Sequence, residues 1–261
     1  MRAAVAFLFV LSTSAAPLIA HDTWIAPDRF LVHRGEVIAL RMTSGMDFPK
    51  LDFAIKPDRV ARAIVRLGKR SWRMTPQAAA HSLDFRTPGR VAGVATIAVD
   101  LEPKSIELTP SQVIEYLDEI GADADLRRSW SESPEPKRWR EIYTKHAKSF
   151  VLVDQGDDSW KEPVGLALEF VPLEDPTSLR AGDALPVRLI ESGKPLGNFS
   201  IGVVRETDPR GTILRTDGDG RVAISLPQNG RYMLRATHIR PAHRADADWI
   251  SDFTTLTVNV R

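Results

Sequence analysis

Six short runs that have the character of β-strands, each separated from the next by a turn, dominate the C-terminal part of this chain. Runs of this length with Gly- or Pro-bearing turns between them are typical of the strands of an immunoglobulin-like sandwich. The six runs lie at 164–173, 185–192, 199–206, 221–226, 231–239 and 253–260. Residues 151–261 are therefore predicted to form a C-terminal immunoglobulin-like β-sandwich.

Residues 21–107 carry the same kind of signal in fewer runs. Three apolar, β-branched runs lie at 37–42, 60–67 and 91–101. The Pro88-Gly89 pair before the last run predicts a turn. Strands of this length with turns between them predict a second sandwich, which forms the N-terminal β domain.

A helical insert is predicted between the two β domains, at residues 108–150. Thr109, Pro110 and Gln112 form a capping box with Pro at the first helical position. One apolar helix face follows, made of Val113, Ile114, Leu117 and Ile120. A second helix, in which His146 packs, is predicted from the helical spacing of Trp139, Ile142, Tyr143 and His146. The predicted fold class is mainly β, with two immunoglobulin-like β-sandwich domains and a helical insert between them.

Residues 1–20 have the order of a secretory signal peptide. Arg2 is followed by an apolar run and then by small residues that end at Ala20. The run is shorter than the roughly 20 apolar residues that a membrane span needs. Cleavage is predicted after Ala20, and cleavage after Ala15 or Ala16 is the alternative. The protein is therefore expected to be periplasmic and not inserted in the membrane after cleavage.

The composition excludes several kinds of partner and site. The chain has no Cys, which excludes a lipoprotein anchor, disulfides and thiolate metal sites, so an exported fold must be held by its core. Lys and Arg number 35, and Asp and Glu number 34. Because there is no basic excess, nucleic acid and an anionic membrane are not expected as partners.

Nine segments, which together span nearly the whole chain after the signal peptide, carry a family resemblance. They are AHDTWIAP at 20–27, SIEL at 105–108, YTKHAK at 143–148, EFVPL at 169–173, LRAGD at 179–183, TDGDGR at 216–221, ATH at 236–238, DW at 248–249 and TTLT at 254–257. In order and spacing they resemble the DUF4198 family of exported bacterial proteins, which is also described as nickel-uptake-related or NikM-like. The resemblance implies two β domains and metal-related transport. A metal ion, with a membrane metal transporter or an outer-membrane receptor, is then the expected partner.

His21 would be the first residue of the processed chain, and it is the strongest candidate for chemistry. Its free α-amine and its ring Nδ1 would close a six-membered chelate on a divalent metal. The α-amine titrates near pH ~8 and the imidazole near ~6.5, so both are available at neutral pH. A second imidazole would complete a histidine brace that suits Cu(II). The alternative is a frayed end, since termini are disordered unless they are tied down.

His238 is the best candidate for the second ligand. Strand alternation within 231–239 places it on a largely apolar, inward face. His243 follows in a loop that also carries Asp246 and Asp248. The alternatives are an ordinary histidine at a buried edge for His238 and a solvated loop residue for His243. The predicted ligands of a divalent Cu or Ni ion are therefore His21, His238 and His243.

Several other functions are excluded by the motifs. Thr23 would be the third residue of the processed chain, so the amino-terminal copper and nickel motif, which needs His there, is absent. The DGDG segment at 217–220 lacks the Gly and Glu of an EF-hand, since Val222 and Gln228 occupy those positions. The sequence contains no catalytic triad order, phosphate loop or zincin motif, and an enzyme is not predicted.

The sequence thus predicts a periplasmic metal-binding protein that handles Cu or Ni near a transporter and uses the N-terminal His. A periplasmic binding or interaction module with immunoglobulin-like domains and no metal is the alternative, because fold does not fix function. A copper-dependent oxidase or oxygenase ranks third.

Overall fold

The computed structural model of the protein describes residues 21–261, and strands make up most of the regular structure. The predicted signal peptide and its cleavage after Ala20 lie outside the described residues. The strands are β1 (Asp22–Pro27), β2 (Leu31–Val32), β3 (Val37–Gly45), β4 (Phe53–Ala54), β5 (Val60–Leu67), β6 (Arg70–Arg73), β7 (Gln77–Ala78), β8 (Leu83–Pro88), β9 (Gly93–Leu101), β10 (Lys104–Leu108), β11 (Trp139–Val153), β12 (Leu168–Pro172), β13 (Ala184–Glu191), β14 (Lys194–Pro195), β15 (Ser200–Arg205), β16 (Asp208–Arg215), β17 (Arg221–Ser225), β18 (Gly230–Pro241) and β19 (Trp249–Val260). The helices are α1 (Pro110–Glu119) and α2 (Ala124–Ser131), with 3-10 turns at Pro57–Arg59 and Ser159–Lys161.

These strands form three sheets. The N-terminal sheet has the order β1-β3-β8-β7, with β4 paired to β3. The central sheet has the order β16-β15-β18-β19-β11-β9-β5-β6, with β2 and β10 paired to β11. The C-terminal sheet has the order β12-β13-β14, with β17 paired to β13. Strand β11 therefore lies in the middle of the central sheet, parallel to β19 and antiparallel to β9.

Two hydrophobic cores lie on opposite faces of the central sheet, and β11 contributes to both. Successive side chains of a strand point to opposite faces, so Val151 enters the first core and Phe150 the second. The first core packs the N-terminal sheet, including Phe85, against β5 and β9. The second packs the C-terminal sheet, including Phe170, against β18 and β19. Each such fully buried large side chain stabilises the fold by roughly 1.5–3 kcal/mol.

The predicted fold class is confirmed. The protein is mainly β, and its sheets pack as two β-sandwiches with a helical insert between their strands. All six runs predicted in the C-terminal region overlap a strand, and the run at 60–67 coincides with β5 (Val60–Leu67). The two sandwiches share the central sheet, which joins strands from both predicted β domains.

The predicted helix around His146 is wrong. Residues 139–153 form β11, and the helices of the insert end at Ser131. The spacing of the large side chains in this segment also fits alternation, with Glu141 and Tyr143 on one face and His146 on the other. Pairing with β9, β10 and β19 then outweighs the local pattern.

The predicted start of α1 is confirmed. The Thr109 hydroxyl accepts a hydrogen bond from the Gln112 backbone N–H, and the Thr109 N–H donates to the Gln112 side chain at 2.9 Å. Val113 and Leu117 are buried as predicted, whereas Ile114 is 55% exposed and does not belong to the buried face. Neither α-helix within residues 21–261 has the length and apolar character that a membrane span requires.

A buried histidine joins strands from both ends of the chain. His146 Nδ1 lies 2.7 Å from a carboxylate oxygen of Asp100 on β9, and its Nε2 lies 3.0 Å from Asp252 on β19. Burial acts to lower the pKa of His146, but the hydrogen bonds to the two carboxylates and their charges raise it above its ordinary value. The protonated ring, which donates from both nitrogens, is therefore the favoured form.

The stability of the fold is expected to depend on the protonation of His146. Because the folded pKa is raised, its stabilisation is complete below the unfolded pKa of about 6.5 and is lost as pH rises through the folded pKa. Substitution of His146→Gln should lower the free energy of unfolding by about 3 kcal/mol near pH 6. The deficit should shrink toward pH 9, as measured by urea denaturation at a series of pH values.

His33→Gln is the matched control, because His33 also bonds an aspartate, Asp154, at 3.1 Å but its side chain is 74% exposed. Exposed pairs contribute about 1 kcal/mol or less. A deficit of the His146 variant that does not change with pH would contradict the assignment of a charged ring.

Candidate functional site

A cavity of about 760 Å³ opens between the central sheet, the loop around β4 and the helical insert. This volume lies in the range of pockets that take small organic ligands. Its apolar wall includes Ile55, Leu101, Ile106 and Leu108. Its aromatic rings belong to His21, Phe53, Tyr116, Tyr143 and Phe253.

Strand β11 supplies the polar side of the cavity. Glu141, Tyr143 and Lys145 occupy alternate positions and therefore point to one face of the sheet. Antiparallel pairing places Lys104 and Ile106 of β10 opposite Tyr143 and Glu141, so the neighbouring strand continues the same wall. The cavity lies on the face of β11 that also carries Val151, and so extends the surface of the first core.

Lys145 is the side chain of this site that is best suited to bind a charged ligand. Its ammonium donates hydrogen bonds to the His21 carbonyl at 2.5 Å and to the Thr23 hydroxyl at 3.2 Å. It also lies 5.6 Å and 5.5 Å from the ring centroids of Tyr143 and Phe253. Burial lowers the pKa of Lys145 to about 8, although the charge of Asp22 acts in the opposite direction.

The hydrogen-bonding capacity of Lys145 exceeds what these two bonds use. An ammonium has three donors, and the two acceptors named above are a carbonyl and a hydroxyl, both of which are neutral. The buried Lys148 differs, because its ammonium bonds the carboxylate of Glu169 at 2.5 Å and the Phe170 carbonyl. Lys145 therefore brings a positive charge to the cavity wall without a hydrogen-bonded carboxylate.

Glu141 forms the floor of the cavity and is satisfied within the protein. Its carboxylate accepts hydrogen bonds from the Tyr116 hydroxyl at 3.1 Å, from Trp139 Nε1 at 2.6 Å and from the Ser251 hydroxyl. Burial raises its pKa despite these bonds. Because these three donors occupy most of its lone pairs, Glu141 is fixed in place and has little capacity left to accept a hydrogen bond from a ligand.

The remaining charged groups make the cavity predominantly cationic. Its cationic side chains are Lys56, Arg59, Lys104 and Lys145, and its acidic side chains are Asp58 and Glu141. Because these four cationic side chains outnumber the two acidic ones, the surroundings of the cavity attract anions.

His21 is held on the cavity wall. Its ring stacks on Phe53 with centroids 5.0 Å apart and an angle of 13°. The next residue, Asp22, begins the pairing of β1 with β3 and forms an ion pair with Arg235 at 2.7 Å. The Thr23 carbonyl accepts a hydrogen bond from Thr255. These contacts tie down the segment, and burial together with the charge of Lys145 lowers the pKa of His21, which favours the neutral ring.

The three predicted metal ligands differ in where the structure places them. Of these, only His21 lines the cavity. His238 Nδ1 lies 2.8 Å from the Glu191 carboxylate, beside Arg240, and its ring packs on Phe199. His243 is exposed in the loop before β19. Within residues 21–261, no group of three or more His, Asp or Glu side chains is placed to hold a metal ion.

Sequence reasoning missed Lys145, Tyr143 and Phe253 as functional residues. The segment that carries Tyr143 and Lys145 belongs to the family resemblance. In the predicted helix, however, Tyr143 would not lie on the same face as Glu141 and Lys145. Alternation over Glu141, Tyr143 and Lys145 was the available signal. The contribution of Phe253 depends on the parallel pairing of β19, in which it lies opposite Lys145.

The comparison with protein families shows which family the sequence belongs to. The family described as a domain of unknown function, DUF4198, matches residues 18–240. The chain belongs to the DUF4198 family. The match confirms the resemblance, and it includes both His21 and the β11 residues of the cavity. The comparison with curated proteins found no match.

Three solved structures show low similarity to this DUF4198 chain. The three N-terminal domains of the highly immunogenic outer capsid protein (Hoc) of bacteriophage RB49 are 11% identical, over 91% of this chain and 59% of that one, with a TM-score of 0.21. Alpha-2-macroglobulin of Escherichia coli, activated by porcine elastase, is 12% identical, over 93% of this chain and 20% of that one, with a TM-score of 0.22. The amphioxus IgVJ-C2 molecule is 8% identical, over 87% of this chain and 98% of that one, with a TM-score of 0.21.

Removal of Arg235 should release the segment that carries His21. Arg235 is largely buried between Asp22 and Glu119, at 2.7 and 2.9 Å. Arg235→Met leaves two carboxylates facing each other, so the free energy of unfolding should fall by about 3 kcal/mol. Hydrogen exchange of the amides in β1 should accelerate, as measured by mass spectrometry.

Arg244→Met is the control, because Arg244 bonds Asp246 at 2.8 Å on the surface. It should change the free energy of unfolding by less than about 1 kcal/mol and leave exchange in β1 unchanged. Unchanged exchange in the Arg235 variant would show that strand pairing alone holds the segment.

Proposed function

We propose that this DUF4198 chain is an exported binding protein whose cavity takes a small organic anion. The observation that carries the proposal is the Lys145 ammonium, which lines an apolar cavity while its hydrogen bonds reach only neutral acceptors. The predicted signal peptide at residues 1–20 supports export to the periplasm. This function corresponds to the alternative of a periplasmic binding module with no metal, and it adds the chemical class of the ligand.

The physical basis is that a charge at an apolar wall strengthens the binding of an opposite charge. An ion pair gains more energy where water is excluded than it does in bulk solvent. A charge-assisted hydrogen bond from the third donor of Lys145 would hold the anionic group. Leu101, Ile106 and Leu108 would take up the apolar body of the ligand, so recognition requires a ligand with both parts.

Binding of the fluorescent probe 8-anilinonaphthalene-1-sulfonate tests this function, because the probe is an apolar anion of suitable size. Lys145→Met should weaken its affinity at least tenfold, since a hydrogen bond to a charged group contributes about 1.5–3 kcal/mol. The measurement is a fluorescence titration at pH 7.

Lys69→Met is the matched control, because Lys69 is exposed in the turn between β5 and β6 and does not line the cavity. It should bind the probe as the unsubstituted protein does. Equal affinity of the Lys145 variant and the unsubstituted protein would rule out the proposal.

Metal handling is the second candidate, and His21 is the observation that favours it. The neutral form of its ring is favoured on the cavity wall, as a metal ligand requires. Cleavage after Ala20 would add the α-amine as a second donor. The nearby ammonium of Lys145 opposes a bound dication, so this function ranks second. Delivery to a membrane metal transporter or an outer-membrane receptor is the role that metal handling would serve.

Calorimetric titration with Cu(II) and Ni(II) distinguishes the two functions. The protein should begin at His21, as confirmed by mass, and the control should carry one additional Gly before His21. If the N-terminal chelate forms, the first protein binds tightly and the additional Gly weakens binding by at least a hundredfold. Negligible binding in both proteins would eliminate this second function, and equal binding in both would show that no N-terminal chelate forms.

A further inference from the structure

We propose that the anion taken by this cavity is a planar aromatic carboxylate. This inference rests on the proposed function and names the ligand class. Its basis is the position of Lys145 relative to two aromatic rings. The Lys145 nitrogen lies 5.6 Å from the ring centroid of Tyr143 and 5.5 Å from that of Phe253.

The length of an ion pair fixes where the rest of the ligand must lie. A carboxylate oxygen bonded to an ammonium sits about 2.8 Å from the nitrogen. The atoms attached to the carboxyl carbon would then lie close in space to the rings of Tyr143 and Phe253. The group of the ligand that follows its carboxylate would therefore lie near these two aromatic rings.

Aromatic rings continue along the wall from this point. Phe253 stacks on Tyr116 with centroids 6.1 Å apart and an angle of 13°, and it meets Tyr143 edge-on at 5.9 Å. The stacked pair of His21 and Phe53 is a further flat surface of the same cavity, and Phe53 is 48% exposed. Ring pairs in offset-stacked or edge-to-face geometry gain energy beyond the burial of their area. Flat surfaces of this kind favour a planar ligand over a puckered one.

The volume of the cavity sets the size of the ligand. At about 760 Å³ it has room for a ligand larger than a single ring. A two-ring arene with one carboxylate would combine the bond to Lys145 with contacts to several of the cavity rings. Lys56, Arg59 and Lys104 also line the cavity, so a second anionic group on the ligand would find a cationic partner there, whereas a cationic group would be repelled.

Three probes of equal size test the inference by calorimetric titration. They are 2-naphthoate, which is planar and charged, decahydronaphthalene-2-carboxylate, which is charged but puckered, and 2-naphthalenemethanol, which is planar but neutral. We expect 2-naphthoate to bind about tenfold more tightly than the decahydro acid, given the energy of two ring pairs. The neutral alcohol should bind at least tenfold more weakly than 2-naphthoate.

The outcomes separate this inference from the function on which it rests. Equal affinity for the two acids, with the alcohol weaker, would overturn the aromatic preference and keep anion binding. Equal affinity for 2-naphthoate and the alcohol would overturn both. Phe253→Leu should remove most of the preference for 2-naphthoate over the decahydro acid, whereas Phe199→Leu, whose ring packs on His238 and does not line the cavity, should retain it.

Discussion

The parallel pairing of β11 with β19 supports the rest of the structure. It runs from Glu141 opposite Trp249 to Ser149 opposite Thr257, and it joins the two sandwiches into one central sheet. Because successive side chains of β11 point to opposite faces, this one strand contributes to both hydrophobic cores and to the cavity. Its C-terminal half contributes Val151 to one core and Phe150 to the other. Its N-terminal half lines the cavity on one face and places His146 on the other.

The buried charges of this sheet fall into two kinds. His146 bonds two carboxylates, and Lys148 bonds Glu169, so these groups are compensated within the protein and hold strands together. Compensation matters because an unpaired buried charge costs several kcal/mol. Lys145 departs from this rule, since its hydrogen bonds reach a carbonyl and a hydroxyl and none reaches a carboxylate. The difference between Lys145 and Lys148, three positions apart, separates the proposed site from the scaffold.

The two candidate functions use the same cavity through different neighbouring groups. Lys145 donates a hydrogen bond to the His21 carbonyl. A ligand bound to one of these residues would therefore affect binding at the other. A dication on His21 would be repelled by the ammonium, whereas an anion on Lys145 would be unaffected by a neutral imidazole. The strand pairing of β1 and the ion pair of Asp22 with Arg235 are what bring His21 to this wall.

Local features of the sequence were enough to predict the β class, the two sandwiches, the capping box of α1 and the family. These features depend on local alternation, turn residues and short motifs, which a single segment carries. The sequence also indicated His21 as a residue of interest. That residues 139–153 form a strand could not be predicted locally, because their pairing partners lie far away in sequence. The cavity required the tertiary structure for the same reason, since His21, Lys145 and Phe253 meet only when β1, β11 and β19 pack together.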